Sequence, residues 1–589
     1  MESKHILYKA KKGTDFAELD FNYYNAVFTV ENALAKVKDE KGLARVAKFL
    51  REEPCADCGA SRLSAAARAP RIRGIGLADA CAMTLDDAVA WVADVPSALP
   101  EEMRAMAADI CDAFGDTARR LLDLGLGYLS LDRAGSTLST GERQRVQLAR
   151  AVRNRTTGVL YVLDEPSIGL HAANVDGLIG VMRDLVADGN SVVVVDHDTR
   201  VLEACDHLVE MGPGAGANGG RVIAQGAVGE VAGSAASRIA PFLHAAPARV
   251  RPCVGLEGLF DRGRIALSTN RLHTVAPLEV QIPRGRLVAV TGVSGSGKTT
   301  LVLEELLPAL AAASAGAPLP ACVRGLDAEG IARASLIDAT PIGANVRSTV
   351  ATYAGVHDDL RRAFARTGEA VAAGLKPGDF SYNTGSLRCP VCDGTGSISL
   401  DVQFLPDVEV ACPECRGTRY APAADRIHRA CADGSLIPLP QLMAMSVDEA
   451  LDACCGLKKV VRRLETLSDL GLGYLSLGEP TPALSGGEAQ RLKLASEMGR
   501  AQSDAVFVFD EPTIGLHPLD VRTLLSVFDR LVSAGATVVV IEHDLDMIRN
   551  ADYVIDMGPG GGEDGGRVVF SGPPSDLACC GASVTGRYL

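Results

Sequence analysis

A glycine-rich segment, GVSGSGKT at 292–299, has the residue types and spacing that can cradle phosphate groups. It follows a strand-like apolar run and precedes a helix-like run, as phosphate-binding loops (P-loops) do. Its glycines let backbone N–H groups point at phosphate oxygens, and the following helix adds its positive end. We expect Lys298 to contact the β- and γ-phosphates of ATP and Thr299 to hold Mg²⁺. The predicted nucleotide-binding residues are Gly292, Val293, Ser294, Gly295, Ser296, Gly297, Lys298, Thr299 and Thr300.

Carboxylates and a histidine follow two further apolar runs downstream of this loop. Asp510 ends the run at 506–509, where a carboxylate can bind Mg²⁺ next to a P-loop. Glu511 follows directly and can orient an attacking water as a general base. His543 follows the run at 537–541 and is placed to contact the γ-phosphate. We therefore predict Glu511 and His543 as catalytic residues, with Thr299 and Asp510 holding Mg²⁺.

Two short motifs, LSTGE at 138–142 and LSGGE at 484–488, each open a helix-like run with basic residues. A serine and glycine at a helix start offer N–H donors to an anion. In most proteins such a motif is only a helix cap.

An internal repeat organises the chain. DLGLGYLSL occurs at 123–131 and again at 469–477, an offset of 346 residues. The same offset relates LSTGE to LSGGE, LDEPSIGLH (163–171) to FDEPTIGLH (509–517), VDHD (195–198) to IEHD (541–544), and MGPGAG (211–216) to MGPGGG (557–562). Five motifs in constant register indicate a tandem duplication of an α/β unit.

The duplication predicts how the chain is divided. The offset places a counterpart of the P-loop before residue 1, so we expect a first half that is N-terminally incomplete. We predict this half at 1–235, a linker at 236–255 and the second half at 256–589, with an insertion at about 310–480.

Two CxxC pairs inside that insertion have the spacing of a metal site. Cys389 and Cys392 precede Cys412 and Cys415 by a spacer of about 20 residues, which suits a tetrahedral four-cysteine zinc site. Four thiolates leave no position for water, so we predict structural zinc. Cys55 and Cys58 form a CxxC pair with no partner pair nearby, and the sequence leaves open whether they bind metal.

Composition excludes some classes of protein. The 589 residues exceed one hydrophobic core, and the charge of −14 argues against a generally basic nucleic-acid coat. Apolar runs are too short to cross a bilayer and no signal peptide is visible, which predicts a cytoplasmic protein with no membrane partner. Arginines at 347, 388, 416 and 419 surround the cysteine module and are candidate, unassigned phosphate contacts.

The combination of one P-loop with LSGGE, DEPTIGLH and EHD resembles an ABC ATPase. More narrowly, DEPSIGLH and DEPTIGLH, the MGPG segments, FLPD (404–407) and the cysteine module resemble the UvrA family, the excinuclease component that surveys DNA for damage. The resemblance implies two ABC-type halves arranged head to tail, with each ATP site shared between them. It also implies binding to double-stranded DNA, a homodimer and other excision-repair subunits of the UvrB type.

Carried over to this sequence, the resemblance pairs the P-loop, Asp510, Glu511 and His543 with the first-half signature. That signature comprises Leu138, Ser139, Thr140, Gly141 and Glu142. A second, degenerate site without a P-loop would comprise Asp164, Glu165, His197, Ser485, Gly486 and Gly487.

The sequence departs from the family pattern at three places. Ala339 stands in DATPIG (338–343) where the family has a glutamine that links Mg²⁺ and water to the neighbouring domain, which puts the coupling of hydrolysis in doubt. Thr140 replaces a glycine in the first signature. The N-terminal region that docks the UvrB-type subunit in the family is absent from the sequence.

The leading hypothesis is a UvrA-like ATPase, without nuclease activity, that recognises damaged DNA in nucleotide excision repair. The alternatives are a UvrA-like ATPase in drug self-protection, the energising subunit of an ABC transporter, and a truncated inactive relic. The cysteine insertion weighs against the transporter subunit.

Overall fold

The computed structural model describes residues 3–12, 15–24, 27, 30–31, 34, 49–50, 53–138, 140–152, 157–214, 219–244, 249–252, 254–343, 345–400, 408–431, 434–498 and 502–589. The chain divides into two compact units, Met1–Ala82 and Met83–Leu589. The FLPD segment (404–407), Ser139 and the side chain of Thr140 lie outside the described residues.

The first unit contains an antiparallel hairpin in which Ser3 pairs with Tyr24 and Lys12 with Asp15. A short helical region follows, and the Ser64 hydroxyl caps its first helix by accepting from the N–H of Ala67. The elements are β1 (Ser3–Lys12), β2 (Asp15–Tyr24), α1 (Ala65–Arg68), β3 (Arg71–Ile72), β4 (Ile75–Gly76) and α2 (Leu77–Ala82).

The second unit opens with the described remainder of the first half. Its strands form a parallel pair, β5–β6, and an antiparallel pair, β7–β8. Its elements are α3 (Leu85–Ala93), α4 (Glu101–Asp123), α5 (Thr140–Val152), β5 (Leu160–Asp164), α6 (Ala172–Ala187), β6 (Ser191–Val195), α7 (Thr199–Glu203), β7 (Leu208–Gly212), β8 (Arg221–Gly226) and α8 (Val228–Ala232).

The predicted linker contains a packed turn. A 3₁₀ turn at Ala240–Phe242 follows α8, and Phe242 and Leu243 join a small apolar core with Leu208 and Val231. Arg251 at the end of this segment is buried and pairs with Asp552 of the second half, with Nη2 3.3 Å from Oδ2.

The second half begins with a small antiparallel sheet and the P-loop strand, followed by the cysteine insertion. The elements up to the insertion's last strand are β9 (Arg264–Thr269), β10 (Glu279–Pro283), β11 (Leu287–Gly292), a π-helix (Thr300–Leu306), α9 (Leu307–Ser314), β12 (Val323–Asp327), β13 (Arg333–Ile337), α10 (Val350–Tyr353), α11 (Val356–Phe364), α12 (Gly368–Ala372), β14 (Ser397–Leu400), β15 (Val408–Ala411), β16 (His428–Ala430) and β17 (Leu436–Pro438).

Helices and the remaining sheet strands complete the half. These are α13 (Leu439–Ala444), α14 (Val447–Ala453), α15 (Lys458–Asp469), α16 (Gly486–Glu497), β18 (Ala505–Asp510), α17 (Pro518–Ser533), β19 (Thr537–Ile541), α18 (Leu545–Asn550), β20 (Tyr553–Gly558), β21 (Arg567–Gly572) and α19 (Pro574–Leu577).

A six-stranded sheet of order β13–β18–β19–β11–β20–β21 forms the centre of the second half, parallel except for β21. Its strands are continuous apolar runs such as AVFVF and TVVVI, which suit a sheet covered on both faces. One face packs on helices α10–α17, and the other on β9, β10 and the helix after the P-loop. This packing fixes the carboxyl ends of β11, β18 and β19, where the predicted ATP residues lie.

The counterpart strands in the first half are less covered. Leu160 and Val162 of β5 are 60% and 66% exposed, and Val193 and Val195 of β6 are each 50% exposed. None of the helices in the described part of the chain has the length and apolarity needed to cross a membrane.

Candidate functional site

The P-loop lies between β11 and the π-helix, as the sequence predicts. Lys298 is buried, and its Nζ donates to the carbonyl oxygens of Gly292 and Val293 at 2.9 and 2.8 Å. Burial lowers the Lys298 pKa to about 8, although the nearby carboxylates of Glu511, Asp556 and Asp510 oppose this shift. The lysine is therefore held within the loop by neutral carbonyl groups.

Glycine is required at two positions of this loop. Gly292 has a φ of +133°, and a β-carbon there would lie 2.0 Å from the carbonyl oxygen of Met557 on the neighbouring strand. Gly297 has a φ of +96°, and a β-carbon there would lie 2.6 Å from Val275. The tight curl that directs N–H groups inward thus depends on the absence of these side chains.

The ends of β18 and β19 bring the predicted carboxylates and histidine together. Burial raises the Asp510 pKa to about 6, with further contributions from Glu511 and Asp338. Glu511 Oε1 lies 3.5 Å from His543 Nε2. Burial would raise the Glu511 pKa, but the hydrogen bond to His543 and the charges of Lys298 and Arg145 lower it overall. Glu511 is therefore held as a carboxylate.

The signature helix of the first half supplies a cation to this group. Arg145 on α5 is buried, and its guanidinium donates to the carbonyls of Gly141 and Leu124 at 3.2 and 2.9 Å. Its charge acts on Glu511 and on Lys298. The signature region that contains Leu138, Gly141 and Glu142 therefore belongs to the surroundings of the second-half P-loop.

Tyr128 of the first half also contacts the P-loop, although no sequence motif assigned it a role. A β-carbon on Gly295 would lie 3.0 Å from its ring, and one on Gly561 would lie 3.1 Å away. Its hydroxyl donates to Glu142 Oε1 at 2.5 Å. Its one sign in the sequence is the repeat, in which Tyr474 is its counterpart. In the structure, Tyr474 likewise donates to Glu488.

In each half, the segment after the DEP motif contacts the glutamate of the other half's DEP motif. A β-carbon on Gly169 of the first half would lie 3.2 Å from Glu511, and one on Gly515 of the second half would lie 3.2 Å from Glu165. The ring of His171 meets that of His543 edge-on, with centroids 5.9 Å apart. His517 meets His197 in the same way at 6.2 Å. The two halves are thus arranged head to tail.

The four predicted zinc ligands converge in the insertion. All four cysteines are buried, and their Sγ atoms lie within 4.8 Å of one another. The Sγ–Sγ separations are 3.9 Å for Cys389–Cys412 and 3.6 Å for Cys392–Cys415. The N–H of Gly396 points at Cys392 Sγ at 3.3 Å. Cys55 and Cys58 lie at a turn of the first unit, where Cys55 is exposed.

The fold and this arrangement match a solved structure over nearly the whole chain. UvrA2 from Deinococcus radiodurans is 35% identical, and the match has a TM-score of 0.84 and covers 99% of this chain and 73% of that one. The chain belongs to the UvrA family. The tandem of two ABC-type halves and the resemblance predicted from the motifs are both confirmed by this match. No protein-family model matches the chain.

Curated UvrA relatives show the same similarity along the sequence. UvrABC system protein A from Thermus thermophilus is 40% identical over 584 residues, and the match covers 98% of this chain and 60% of that protein. The Aquifex aeolicus protein of the same name is 39% identical over 574 residues, covering 96% and 61%. The chain thus spans about three fifths of the length of these UvrA proteins.

The predicted residues of the second candidate site lie at the ends of β5 and β6 and at the start of α16. His197 Nε2 lies 3.8 Å from Glu165 Oε1, next to Asp164 at the end of β5. Ser485 caps α16, where its hydroxyl accepts from the N–H of Glu488. A β-carbon on Gly486 would lie 3.2 Å from Ala339, and one on Gly487 would lie 3.6 Å from the carbonyl of Ile514, so these glycines pack within their own half.

The segment that carries Ala339 in place of the family's glutamine is pinned to the second signature helix. Lys493 on α16 donates to the carbonyls of Asp338 and Thr340 at 2.9 and 2.8 Å, and its Nζ lies 2.5 Å from Asp338 Oδ1. The Asp338 charge in turn contributes to the raised Asp510 pKa. A lysine contact that no sequence motif predicted therefore orders this segment.

Proposed function

We propose that this UvrA-family chain is an ATP-hydrolysing protein that binds double-stranded DNA and recognises damage in nucleotide excision repair. The observation that carries the proposal is the composite site, in which Arg145, Tyr128 and Gly169 of the first half surround the P-loop and Glu511 of the second. Such a site is complete only when the halves are engaged, which suits an ATPase that reports on a bound partner.

ATP would bind along the loop from Gly292 to Thr300. Lys298 would exchange its two carbonyl acceptors for β- and γ-phosphate oxygens, which are stronger partners for an ammonium group. The hydroxyl of Ser296 is buried and has no hydrogen-bond partner among the described residues, as expected for a group that awaits a phosphate. The signature at 138–142 would close the site from the first half.

Thr299 and Asp510 offer the hard oxygen donors that Mg²⁺ prefers, and a bound Mg²⁺ would neutralise developing phosphate charge. Glu511, held as a carboxylate, would accept the proton of an attacking water. His543 would hold the γ-phosphate in line and keep Glu511 oriented through their 3.5 Å contact.

The cysteine cluster supports structural zinc. A tetrahedral ion with bonds of about 2.3 Å requires sulfur atoms about 3.8 Å apart, and the observed 3.6 and 3.9 Å fit. We expect about one zinc per chain by elemental analysis, lost in Cys412→Ser and retained in Cys55→Ser. Unchanged zinc in Cys412→Ser would contradict the assignment.

DNA binding, the homodimer, an interaction with UvrB-type subunits and a cytoplasmic location are proposed from family membership. The arginines around the cysteine module give no independent support, because Arg347 and Arg388 both pair with Asp393, at 2.7 and 2.8 Å. Arg419 is buried and donates to the carbonyl of Val346. Recognition of damage would then depend on DNA shape and deformability rather than on base contacts.

The test is ATP hydrolysis with undamaged duplex, with duplex that carries a bulky lesion, and without DNA. We expect hydrolysis that changes with DNA and differs between the two duplexes, and its loss in Lys298→Ala. An ATP hydrolysis rate that neither duplex changes would contradict the repair function. Hydrolysis at a near-normal rate in Lys298→Ala would contradict the assigned ATP site.

A further inference from the structure

A short segment at 583–589, here called the strap, extends from the second half onto the first. It forms a 3₁₀ turn at Thr585–Tyr588. The Tyr588 hydroxyl donates to Asp176 Oδ2 at 3.1 Å, and the Arg200 guanidinium lies 5.1 Å from the centre of the Tyr588 ring. Asp176 and Arg200 also form an ion pair with each other. The strap is therefore anchored on helices α6 and α7 of the first half.

Thr585 is the buried centre of this contact. Its Oγ1 lies 3.0 Å from His171 Nε2 and 3.2 Å from Asp556 Oδ1. His171 Nδ1 accepts from the N–H of Ala173, so the ring proton is on Nε2 and is donated to Thr585. The Thr585 hydroxyl then donates to Asp556, whose other oxygen accepts from Ser583 at 2.5 Å. The hydrogen bonds therefore run in one direction, with His171 donating to Thr585 and Thr585 donating to Asp556.

Both ends of this hydrogen-bond series reach the proposed ATP chemistry. The His171 ring stands 5.9 Å from His543, which lies against Glu511. Asp556 pairs in register with Thr291 of the P-loop strand, and its charge acts on Lys298. Thr585 thus joins a histidine of the first half to the strand that carries the P-loop of the second.

The repeat provides an internal comparison. The counterpart of Thr585 in the first half is Ile239, which has no hydroxyl, and the counterpart of Asp556 is Glu210. Glu210 accepts from the backbone N–H groups of Arg238 and Ile239 at 2.8 and 3.1 Å. The hydroxyl link therefore accompanies the half that holds the P-loop.

We propose that Thr585 and His171 are positioning residues for His543 and Glu511, and that they govern the turnover of bound ATP rather than its binding. The inference rests on the proposed ATPase function. The strap's hydrogen bond to Nε2 holds the His171 ring in the orientation that packs on His543. Displacing a group that aligns the γ-phosphate slows the reaction while leaving the phosphate contacts of Lys298 in place.

The test compares Thr585→Val, which keeps the shape and removes the hydroxyl, with Thr585→Ser, which keeps the hydroxyl. We expect kcat for ATP to fall about tenfold in Thr585→Val, nucleotide affinity measured without Mg²⁺ to change less than about twofold, and Thr585→Ser to restore kcat. Equal losses of kcat and affinity in Thr585→Val, or a normal kcat, would overturn the proposal.

A second variant covers the case in which Thr585→Val does not fold. His171→Asn keeps a good helix-capping side chain and loses the donor to Thr585. We expect the same fall in kcat without loss of affinity. The matched control is His517→Asn, at the second-half counterpart of His171, which contacts His197 and should leave kcat within about twofold of normal. Wild-type hydrolysis no faster than Lys298→Ala would remove the ATPase function itself, whereas normal wild-type activity with normal Thr585→Val and His171→Asn activity would remove only this inference.

Discussion

Within the second unit, the segments that belong to the first and second halves of the chain have the same local geometry but different burial. Glu165 and Glu511 have φ of +46° and +44°. The hydroxyl of Ser167 donates to Asp196 at 2.6 Å, and that of Thr513 donates to Glu542 at the same distance. Yet Val506 and Val508 are fully buried, whereas their counterparts Leu160 and Val162 are 60% and 66% exposed. Short-range geometry follows the repeated sequence, whereas burial depends on which segments pack over it.

The counterpart glutamates show the electrostatic result of this difference. Burial raises the pKa of Glu165, His197 offsets part of this rise, and Asp164 and Asp196 add to it. Burial also acts to raise the pKa of Glu511, but His543, Lys298 and Arg145 lower it overall. The same residue in the same backbone conformation therefore has its pKa lowered only where the P-loop half and the opposite signature helix supply cations.

The largest expected effect comes from removing one of these two glutamates. Glu511→Gln should lower the ATPase rate by about 100-fold or more and leave ATP bound, because the amide cannot accept a proton from water. Glu165→Gln should change the rate less than about threefold, because the described residues place no P-loop beside it. Turnover and retained nucleotide measured on both proteins check this, and equal losses would mean that the two sites contribute alike.

A smaller effect is expected from the two signature helices. Arg145→Gln should lower kcat about tenfold, because a buried cation that acts on Glu511 and Lys298 is removed. Arg491→Gln, at the same place in the second half, should lower it less than about twofold. Steady-state kinetics with thermal unfolding as a folding control distinguish the two, and a stronger effect of Arg491→Gln would reverse the assignment of which signature serves the P-loop.

The smallest expected effect is a titration confined to the P-loop half. Burial lowers the Lys298 pKa to about 8, so the charged form is lost as pH rises through that value. The second-order rate constant for ATP should therefore fall about fivefold to tenfold between about pH 7.5 and pH 9. Lys298→Arg should flatten this dependence whatever its absolute activity, because a guanidinium stays charged. An unchanged profile in Lys298→Arg would place the titration elsewhere.

Features encoded within a few residues could be predicted from the sequence. The P-loop and the carboxylates after β18 lie at the strand ends where the motifs placed them, and the two CxxC pairs converge as their spacing predicted. Tyr128 and Thr585 could not be found in this way, because Tyr128 contacts the P-loop and Thr585 contacts His171 across long stretches of sequence. The exposure of β5 was equally hidden, since its apolar sequence resembles that of the buried β18.

The glycine–glutamate contacts exchanged between the halves have a thermodynamic consequence. Gly169 lies against Glu511 and Gly515 against Glu165, so each glutamate packs on a backbone segment of the other half. Any two ligands that both bind better to the engaged arrangement must therefore raise each other's affinity by the same factor. A molecule that bridges the halves far from the P-loop would increase the affinity for nucleotide at Lys298 by the same factor by which nucleotide increases the affinity for that molecule.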